Sequence, residues 1–303
     1  MMRKNERLGF LALFVLAAVL PTLLVAGQDP PSKPAPQAPP PLTVQEITKS
    51  LYLVKGGSGA NTAFYVTAKE VFVIDAKMSA ASGAAMLAEI GKVTPLPVTT
   101  LVITHSDGDH INGLPGFPKG LRIIAHENVR RDIEKAAADL PELKDYLPTL
   151  TYTSELTLAS PEHDILLRNH GPAHTDGDTA VYFRPDRVAF VGDLVFVGRD
   201  PLIHRNKGGT SFGYVKTLEA LIAALPRVEK FLSGHADPLT RADVEALKAS
   251  MSEKQVKVKA MIAEGRSLED IKKAFGVEDR PAAPGGRRWL SLIETIYLEL
   301  TGK

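Results

Sequence analysis

The 303-residue sequence contains no cysteine and has almost no excess charge. The absence of cysteine excludes disulfide bonds, thiolate metal ligands and a cysteine nucleophile. The formal net charge is +1, so bulk electrostatics predict no nucleic-acid partner and no attraction to an acidic membrane surface. With 44% hydrophobic and 23% charged residues, the composition is that of an ordinary globular protein with a substantial buried core.

The beginning of the chain has the features of an export signal. Arg3, Lys4 and Arg7 precede an apolar run over residues 8–26, which small residues close. This pattern predicts a signal peptide over residues 1–27 and a periplasmic or secreted protein without a stable membrane anchor after cleavage. Because the run is almost long enough to span a bilayer, an uncleaved anchor is the alternative.

The rest of the chain divides by composition into three parts. Residues 28–43 are rich in proline and indicate a semi-rigid linker outside the fold. Short β-like runs alternate with helical segments over residues 44–238, which is typical of a layered α/β domain. Residues 239–303 are predicted to be helical, and this C-terminal extension is expected to cover a pocket, to mediate oligomerisation or to complete the core.

One short loop concentrates side chains that bind metals. The stretch LVITHSDGDHING over residues 101–113 leaves a buried strand and carries His105, Asp107, Asp109 and His110. Imidazole and carboxylate groups are natural ligands of zinc and related divalent metals. A loop can direct several of them at one point because it follows neither a helical nor a pleated period.

Three later segments place a further ligand-type residue where a β-like run meets a loop. His174 lies in a Gly/Thr-rich turn before a strand, and Asp193 follows an apolar strand and a glycine. His235 likewise follows an apolar strand and a glycine, in the stretch FLSGH. The edges at which strands give way to loops are where α/β folds commonly build their sites.

In order and spacing these motifs resemble the metallo-β-lactamase superfamily of metallohydrolases. The family loop has the pattern His-x-His-x-Asp-His, whereas this chain has His-x-Asp-x-Asp-His and therefore departs at Asp107. The resemblance spans residues 44–238 and implies a four-layer αββα sandwich, with the metals at one edge of the two sheets and the C-terminal helices outside it.

The resemblance also implies the ligand set and the chemistry. One metal would be held by His105, Asp107 and His174, and a second by Asp109, His110 and His235, with Asp193 bridging and Asp109 also given the catalytic role. The expected cofactor is one or two zinc ions, with manganese or iron as alternatives for an oxygen-rich site. A metal-bound hydroxide would attack the carbonyl of a small ester, thioester, lactone or β-lactam.

The departure at Asp107 leaves two interpretations open. The residue is either a third carboxylate ligand, which lowers the formal charge of the site, or it points away and leaves a single metal. The functional alternative to an exported hydrolase is accordingly a metal- or ligand-binding protein of the same fold with impaired or no turnover.

Several other residues carry open assignments. The loop after Asp193 offers Arg199, His204, Arg205 and Lys207, which would bind a substrate carboxylate or simply be solvated. Asp75 ends a strand and either supports the site or caps a turn. Trp289 lies on a predicted helix with Leu290, Leu292, Ile293 and Ile296, in an apolar stripe that indicates core packing.

Overall fold

The structure is a computed structural model that describes residues 39–161, 163–224, 227–278 and 288–302. The predicted signal peptide and the linker as far as residue 38 lie outside the described residues. Residues 39–303 form one compact unit that contains both the α/β part and the C-terminal helices. Within the described ranges, no helix is both long enough and apolar enough to cross a bilayer.

Two β-sheets form the centre of the fold. The first has seven strands in sequence order: β1 Thr43–Glu46, β2 Leu51–Lys55, β3 Thr62–Val66, β4 Val71–Ile74, β5 Val98–Ile103, β6 Arg122–His126 and β7 Leu150–Tyr152. The second has five strands in the order β12-β11-β10-β9-β8: β8 Glu155–Ser160, β9 His163–Arg168, β10 Ala180–Phe183, β11 Val188–Phe190 and β12 Lys230–Leu232.

Helices cover the outer faces of both sheets. They are α1 Ala80–Val93, α2 Gly108–Ile111, α3 Glu127–Ala136, α4 Ser211–Ala224, α5 Arg241–Ala263, α6 Leu268–Ala274 and α7 Leu292–Thr301. Helices α1 and α3 pack on the first sheet, whereas α4, α5 and α7 share a core with the second sheet. The order of layers is therefore helix, sheet, sheet, helix, and the predicted αββα sandwich is confirmed.

The alternation of side chains along the strands explains how one sheet serves two cores. In β2, Leu51 and Leu53 point into the core between the sheets, while Val54 faces the helical layer. In β3, Ala63 and Tyr65 likewise face the second sheet, and Phe64 faces the helices. Successive residues of a strand point to opposite faces, so strands buried on both faces are apolar throughout.

The last helix begins later than the sequence predicts. Ser291 caps α7 in a capping box with Glu294, so the helix starts at Leu292. Leu292, Ile293 and Ile296 are buried as expected, but Trp289 precedes the helix and its side chain is 53% exposed. The prediction that Trp289 packs in the core was therefore wrong, because helical spacing was extended across the cap.

Parallel pairing brings the ends of several strands to one edge. β4 and β5 pair in parallel in the first sheet, and β11 and β12 pair in parallel in the second. Asp75 follows β4, the His/Asp loop follows β5, Asp193 follows β11 and His235 follows β12. The residues singled out in the sequence consequently meet at the carboxyl edge of the sandwich.

Candidate metal centre

The loop after β5 supplies four of the seven predicted ligands. His105 leaves the strand directly, Asp107 occupies the N-cap position of α2, and Asp109 and His110 lie within that short helix. The side chain of Asp107 makes no capping hydrogen bond. Its carboxylate faces the centre instead, with Oδ2 3.1 Å from Nε2 of His174.

The structure brings the seven residues together in three overlapping groups whose ligand atoms lie within 4.8 Å of one another. The groups are His105, Asp107 and His174; Asp109, His110 and His235; and His105, His110 and Asp193. The first two groups match the two sets implied by the sequence, and the third contains the residue expected to bridge them. The assignment of these side chains as metal ligands stays a prediction.

Asp193 occupies the position between the two sets. Its Oδ1 atom lies 3.2 Å from Nε2 of His110, and its Oδ2 atom lies 3.2 Å from Nε2 of His235. The same Oδ2 atom is 3.9 Å from Nε2 of both His105 and His174. One carboxylate thus approaches all four imidazoles, which is the arrangement expected of a bridging group.

Three of the imidazoles are oriented through their Nδ1 atoms. His110 Nδ1 lies 2.7 Å from Oδ2 of the buried Asp75, and His174 Nδ1 lies 2.8 Å from the carbonyl oxygen of Leu202. His105 Nδ1 lies 3.1 Å from Oγ1 of Thr104, which itself donates to Asp75. These contacts direct each Nε2 atom towards the centre, as in metal sites of this chemistry.

The burial of polar atoms fits a site for divalent cations. His105 Nε2, His110 Nε2 and Asp193 Oδ1 are buried and make no aligned hydrogen bond to any described residue, although His110 Nε2 and Asp193 Oδ1 lie 3.2 Å apart. Buried polar atoms are nearly always satisfied in native proteins, so these three require a partner of another kind. Imidazole nitrogens and carboxylate oxygens without protein partners are suitable donors for zinc, manganese or iron.

The charges of the site also favour bound cations. Burial lowers the pKa of His174, but the hydrogen bond with Asp107 and the charges of Asp107, Asp193 and Asp178 together outweigh this effect and raise that pKa to about 9. Hydrogen bonds with Asp109 and Asp193 raise the pKa of His235 to about 9. The carboxylates thus favour the protonated forms of His174 and His235, and a divalent cation would compete with those protons for the same Nε2 atoms.

The sequence did not predict the partners of Asp107. His204 Nε2 lies 2.6 Å from Asp107 Oδ2, and Lys207 Nζ donates to Asp107 Oδ1 over 2.7 Å. Both residues were considered as binders of a substrate carboxylate, but here they contact a carboxylate of the protein. The signal available in the sequence was an additional Lys and His in the loop that follows Asp193.

Glycine is required at one point in the wall of the site. A Cβ atom on Gly234 would lie 2.5 Å from Asp193 Oδ1 and 2.9 Å from Cε1 of His110. No side chain fits at these distances unless the two site residues move. The glycine before His235 therefore allows β12 to approach the centre closely.

Aromatic side chains form the outer wall. The ring of Phe196 stacks on that of His235 with centroids 5.8 Å apart, and the guanidinium carbon of Arg199 lies 4.6 Å from the centroid of the Phe196 ring. Trp289 approaches the ring of His204 edge to face, with centroids 4.9 Å apart. The segment before α7 therefore reaches the site, although it is distant in sequence.

A cavity of about 350 Å³ opens beside His235. It is lined by Lys55, Gly59, Asn61, Gly234, His235, Ala236 and Asp237. Lys55 forms an ion pair with Asp237 at its rim, and Asn61 donates to the carbonyl oxygens of Ser233 and Ala236. Of the Asp109, His110 and His235 group, His235 lines this cavity.

Comparison with known families agrees with this geometry. The sequence matches the family model described as Metallo-beta-lactamase superfamily over residues 56–235, which is more than half of the chain. The chain belongs to the metallo-β-lactamase superfamily. The matched range begins in the loop before β3 and ends at His235, so it includes every predicted ligand of this superfamily member.

Solved structures with the same fold are metallo-β-lactamases. One from Pontibacter korlensis has a TM-score of 0.60 at 16% identity and covers 70% of this chain and 99% of its own. DIM-1 metallo-beta-lactamase has a TM-score of 0.60 at 14% identity, covering 71% of this chain and 99% of its own. FIM-1 from Pseudomonas aeruginosa, in its mono-zinc form, has a TM-score of 0.58 at 16% identity, covering 71% and 96%. At these identities the likeness shows the fold alone.

A curated relative matches part of the chain. The 2,4-dinitroanisole O-demethylase subunit alpha of Nocardioides sp. (strain JS1661) is 33% identical over 105 residues. The matched stretch covers 34% of this chain and 30% of the relative. The chain therefore spans less than a third of the length of that relative.

Proposed function

We propose that this metallo-β-lactamase superfamily member is an exported metal-dependent hydrolase that cleaves a small carbonyl compound such as an ester, thioester, lactone or β-lactam. The observation that carries the proposal is the convergence of four imidazole Nε2 atoms and three carboxylates in three overlapping groups, with the buried Asp193 within 3.9 Å of all four imidazoles. This donor set suits one or two divalent cations, with zinc as the expected ion and manganese or iron as alternatives.

The chemistry supplied by such cations is a coordinated water with a pKa lowered towards neutrality and a polarised substrate carbonyl. The residues of the chain provide the orientation. Asp75 and Thr104 fix the imidazoles of His110 and His105, and the carbonyl oxygen of Leu202 fixes that of His174. No protein nucleophile is needed, which is compatible with a chain that lacks cysteine.

Asp109 has the position of a catalytic carboxylate. Its side chain is partly exposed, and its Oδ2 atom lies 3.2 Å from Nε2 of His235 and 3.8 Å from Nε2 of His110. A partly exposed carboxylate at the edge of the ligand cluster can accept a proton from the attacking water and return it to the leaving group.

Export is proposed on the basis of the first 27 residues. Expression of the full chain in a Gram-negative host, followed by fractionation and N-terminal sequencing, tests it. A mature N-terminus near residue 28 in the periplasm or the medium supports export, whereas a full-length chain in the cytoplasm contradicts it.

The hydrolase proposal is tested by metal analysis followed by an activity panel. The purified protein is analysed for zinc, manganese and iron, and then assayed in each metal with chromogenic ester, thioester, lactone and β-lactam substrates. We expect one or two metal ions per chain, turnover on at least one class, and loss of both in Asp193→Asn. His163→Gln is the matched control, since His163 begins β9 and contacts Ser160, away from the site.

The outcomes separate two interpretations of the same fold. Turnover that depends on metal and on Asp193 supports the hydrolase. Stoichiometric metal without turnover on any class would instead support the metal- or ligand-binding protein, and a chain that binds no metal would contradict both.

A second candidate reaction is the cleavage of an activated aryl methyl ether. The relative named for O-demethylation of 2,4-dinitroanisole supports it, together with the aromatic wall formed by Phe196 and Trp289. Water would displace the methoxy group, so methanol and 2,4-dinitrophenolate are released together. Metal-dependent formation of the yellow phenolate from 2,4-dinitroanisole is the supporting result, and its absence while an ester or lactone is turned over contradicts this candidate.

A further inference from the structure

The carboxylate that departs from the family pattern has partners of its own. Asp107 Oδ1 accepts a hydrogen bond from Lys207 Nζ at 2.7 Å, and Asp107 Oδ2 lies 2.6 Å from His204 Nε2. The Asp107 side chain is only 14% exposed, and those of His204 and Lys207 are 4% and 22% exposed. All three groups are thus largely withdrawn from solvent, where a charge requires a partner.

The segment that carries these partners is attached to the site on both sides. The backbone NH of His204 donates to the carbonyl oxygen of His174 at 2.8 Å. Lys207 Nζ donates to the carbonyl oxygen of Ser106 at 3.0 Å, next to Asp107 itself. The short helical turn over residues 205–207 ends at Gly208, whose φ of 73° is a left-handed conformation that glycine adopts without strain. Lys207 and His204 therefore occupy fixed positions relative to Asp107.

The two oxygens of Asp107 have different surroundings. Oδ2 faces the ligand cluster, 3.1 Å from Nε2 of His174 and 3.8 Å from Nε2 of His105. Oδ1 is directed to Lys207. Oδ2 is therefore the oxygen available to a metal, while Oδ1 is held by a charge-assisted hydrogen bond.

The charge of the site explains why a lysine is found at this point. Asp107 adds a third carboxylate to Asp109 and Asp193, which reduces the formal positive charge that two divalent cations would leave at the site. The ammonium of Lys207 returns one positive charge at a distance of 2.7 Å from that carboxylate. The positive charge of Lys207 therefore offsets the additional negative charge of Asp107.

We propose that His204 and Lys207 are positioning residues that hold Asp107 as a metal ligand and neutralise its added charge. This inference rests on the proposed metal centre but not on the identity of the substrate. Lys207 supplies the charge, and His204 fixes the orientation of Oδ2 by donating its Nε2 hydrogen. Together the two residues allow an aspartate to act as a metal ligand at the position where the family has a histidine.

The test measures zinc affinity and stoichiometry by competition with a chromophoric chelator, without any substrate. Partners that orient metal ligands typically contribute 10- to 100-fold to metal affinity. We therefore expect Lys207→Met to lower the affinity for one of the zinc ions by about that factor. Lys207→Arg keeps the charge and should recover most of the loss. Lys119→Met is the matched control, because Lys119 forms an exposed ion pair with Asp145 away from the site.

A double variant isolates the coupling from a general structural effect. With Asp107→His in place there is no carboxylate to neutralise, so adding Lys207→Met should change zinc affinity by less than about threefold. An equal loss in both backgrounds would overturn the proposal, as would unchanged affinity in Lys207→Met. His204→Leu and His204→Gln form a second pair, in which only the glutamine retains a donor for Asp107 and should retain the affinity.

Failure of this inference can be told apart from failure of the proposed function. If the coupling is found but no substrate is turned over, the positioning role stands and the hydrolase proposal falls. If turnover is found but Lys207→Met binds zinc as the unaltered protein does, the positioning role falls and the hydrolase stands.

Discussion

The Nδ1 atom of His110 lies 2.7 Å from Oδ2 of Asp75, and both side chains are fully buried. Asp75 accepts two further hydrogen bonds, from the backbone NH and the hydroxyl of Thr104. It thereby joins the end of β4 to the start of the His/Asp loop. Of the two roles open to Asp75 from the sequence, the structure agrees with support of the site, since the carboxylate sets the orientation of His110.

Asp75→Asn is expected to weaken metal binding and activity by about 10- to 100-fold while the protein stays folded. Asparagine has the same size and tolerates the left-handed backbone conformation found here, with a φ of 62°, so the change removes the charge and one of the two oxygens that accept from Thr104 and His110. Zinc titration and thermal melting of the two proteins measure the effect. Asp186→Asn is the control, because Asp186 bonds to Thr48 at the other end of the strands. Equal losses in both variants would contradict a specific role for Asp75.

Gly234→Ala is expected to disturb the metal site. The added Cβ would lie 2.5 Å from Asp193 Oδ1, so the bridging carboxylate or β12 must shift. Forced packing of this kind typically costs about 1–3 kcal/mol of stability, and the displaced carboxylate should also lower metal affinity. Gly91→Ala provides the control, since a Cβ on Gly91 in α1 meets nothing within 4 Å. That variant should be as stable as the original or more stable by up to about 1 kcal/mol. Unchanged metal affinity in Gly234→Ala would show that Gly234 does not lie close enough to Asp193 to displace its carboxylate.

Much of the site could be predicted from the sequence because strand ends and ligand types coincide. Apolar runs followed within three residues by His105, Asp193 and His235 mark the carboxyl ends of strands, and parallel pairing then brings those ends together. The layered order of the fold follows from the same alternation of strands and helices.

The partners of Asp107 could not be predicted in this way. His204 and Lys207 lie in a segment without periodicity, and its path depends on hydrogen bonds to His174 and Ser106 that only the folded chain reveals. Trp289 was misassigned for a different reason. Its spacing fits a helical stripe, but the Ser291 and Glu294 capping box begins the helix after it, a signal that was present in the sequence.

Lys77 is expected to make stability increase with pH in the alkaline range. Its side chain is fully buried, and Nζ donates to the carbonyl oxygens of Val54, Gly56 and Ala60 with no carboxylate among these partners. Burial lowers the pKa of Lys77 to about 8 from an ordinary value of 10.5. Between these two values the unfolded chain binds more protons than the folded one, so the free energy of unfolding rises with pH.

The expected gain between pH 8 and 10.5 is about 3 kcal/mol, from about 1.4 kcal/mol for each unit of pKa difference. Denaturant unfolding of the protein and of Lys77→Met over this range measures it as the difference between the two curves, which removes the contribution of other groups. Parallel curves for the two proteins would contradict a lowered pKa of Lys77. Lys92→Met is the control, because Lys92 is exposed and pairs with Glu89 on the surface.

Removal of metal is expected to lower the melting temperature. His105 Nε2, His110 Nε2 and Asp193 Oδ1 are buried without an aligned hydrogen bond to the described residues, so a bound cation would satisfy atoms that otherwise destabilise the folded state. A ligand present at one hundred times its dissociation constant stabilises by about 2.7 kcal/mol. For a domain of this size that corresponds to a fall of about 5–10 °C when a chelator is added.

Differential scanning calorimetry with and without chelator measures this fall in melting temperature, and zinc added back should reverse it. Asp193→Asn should melt at nearly the same temperature in both conditions, because the shared carboxylate is lost. If the unaltered protein is equally insensitive to the chelator, the buried cluster does not hold a stabilising cation.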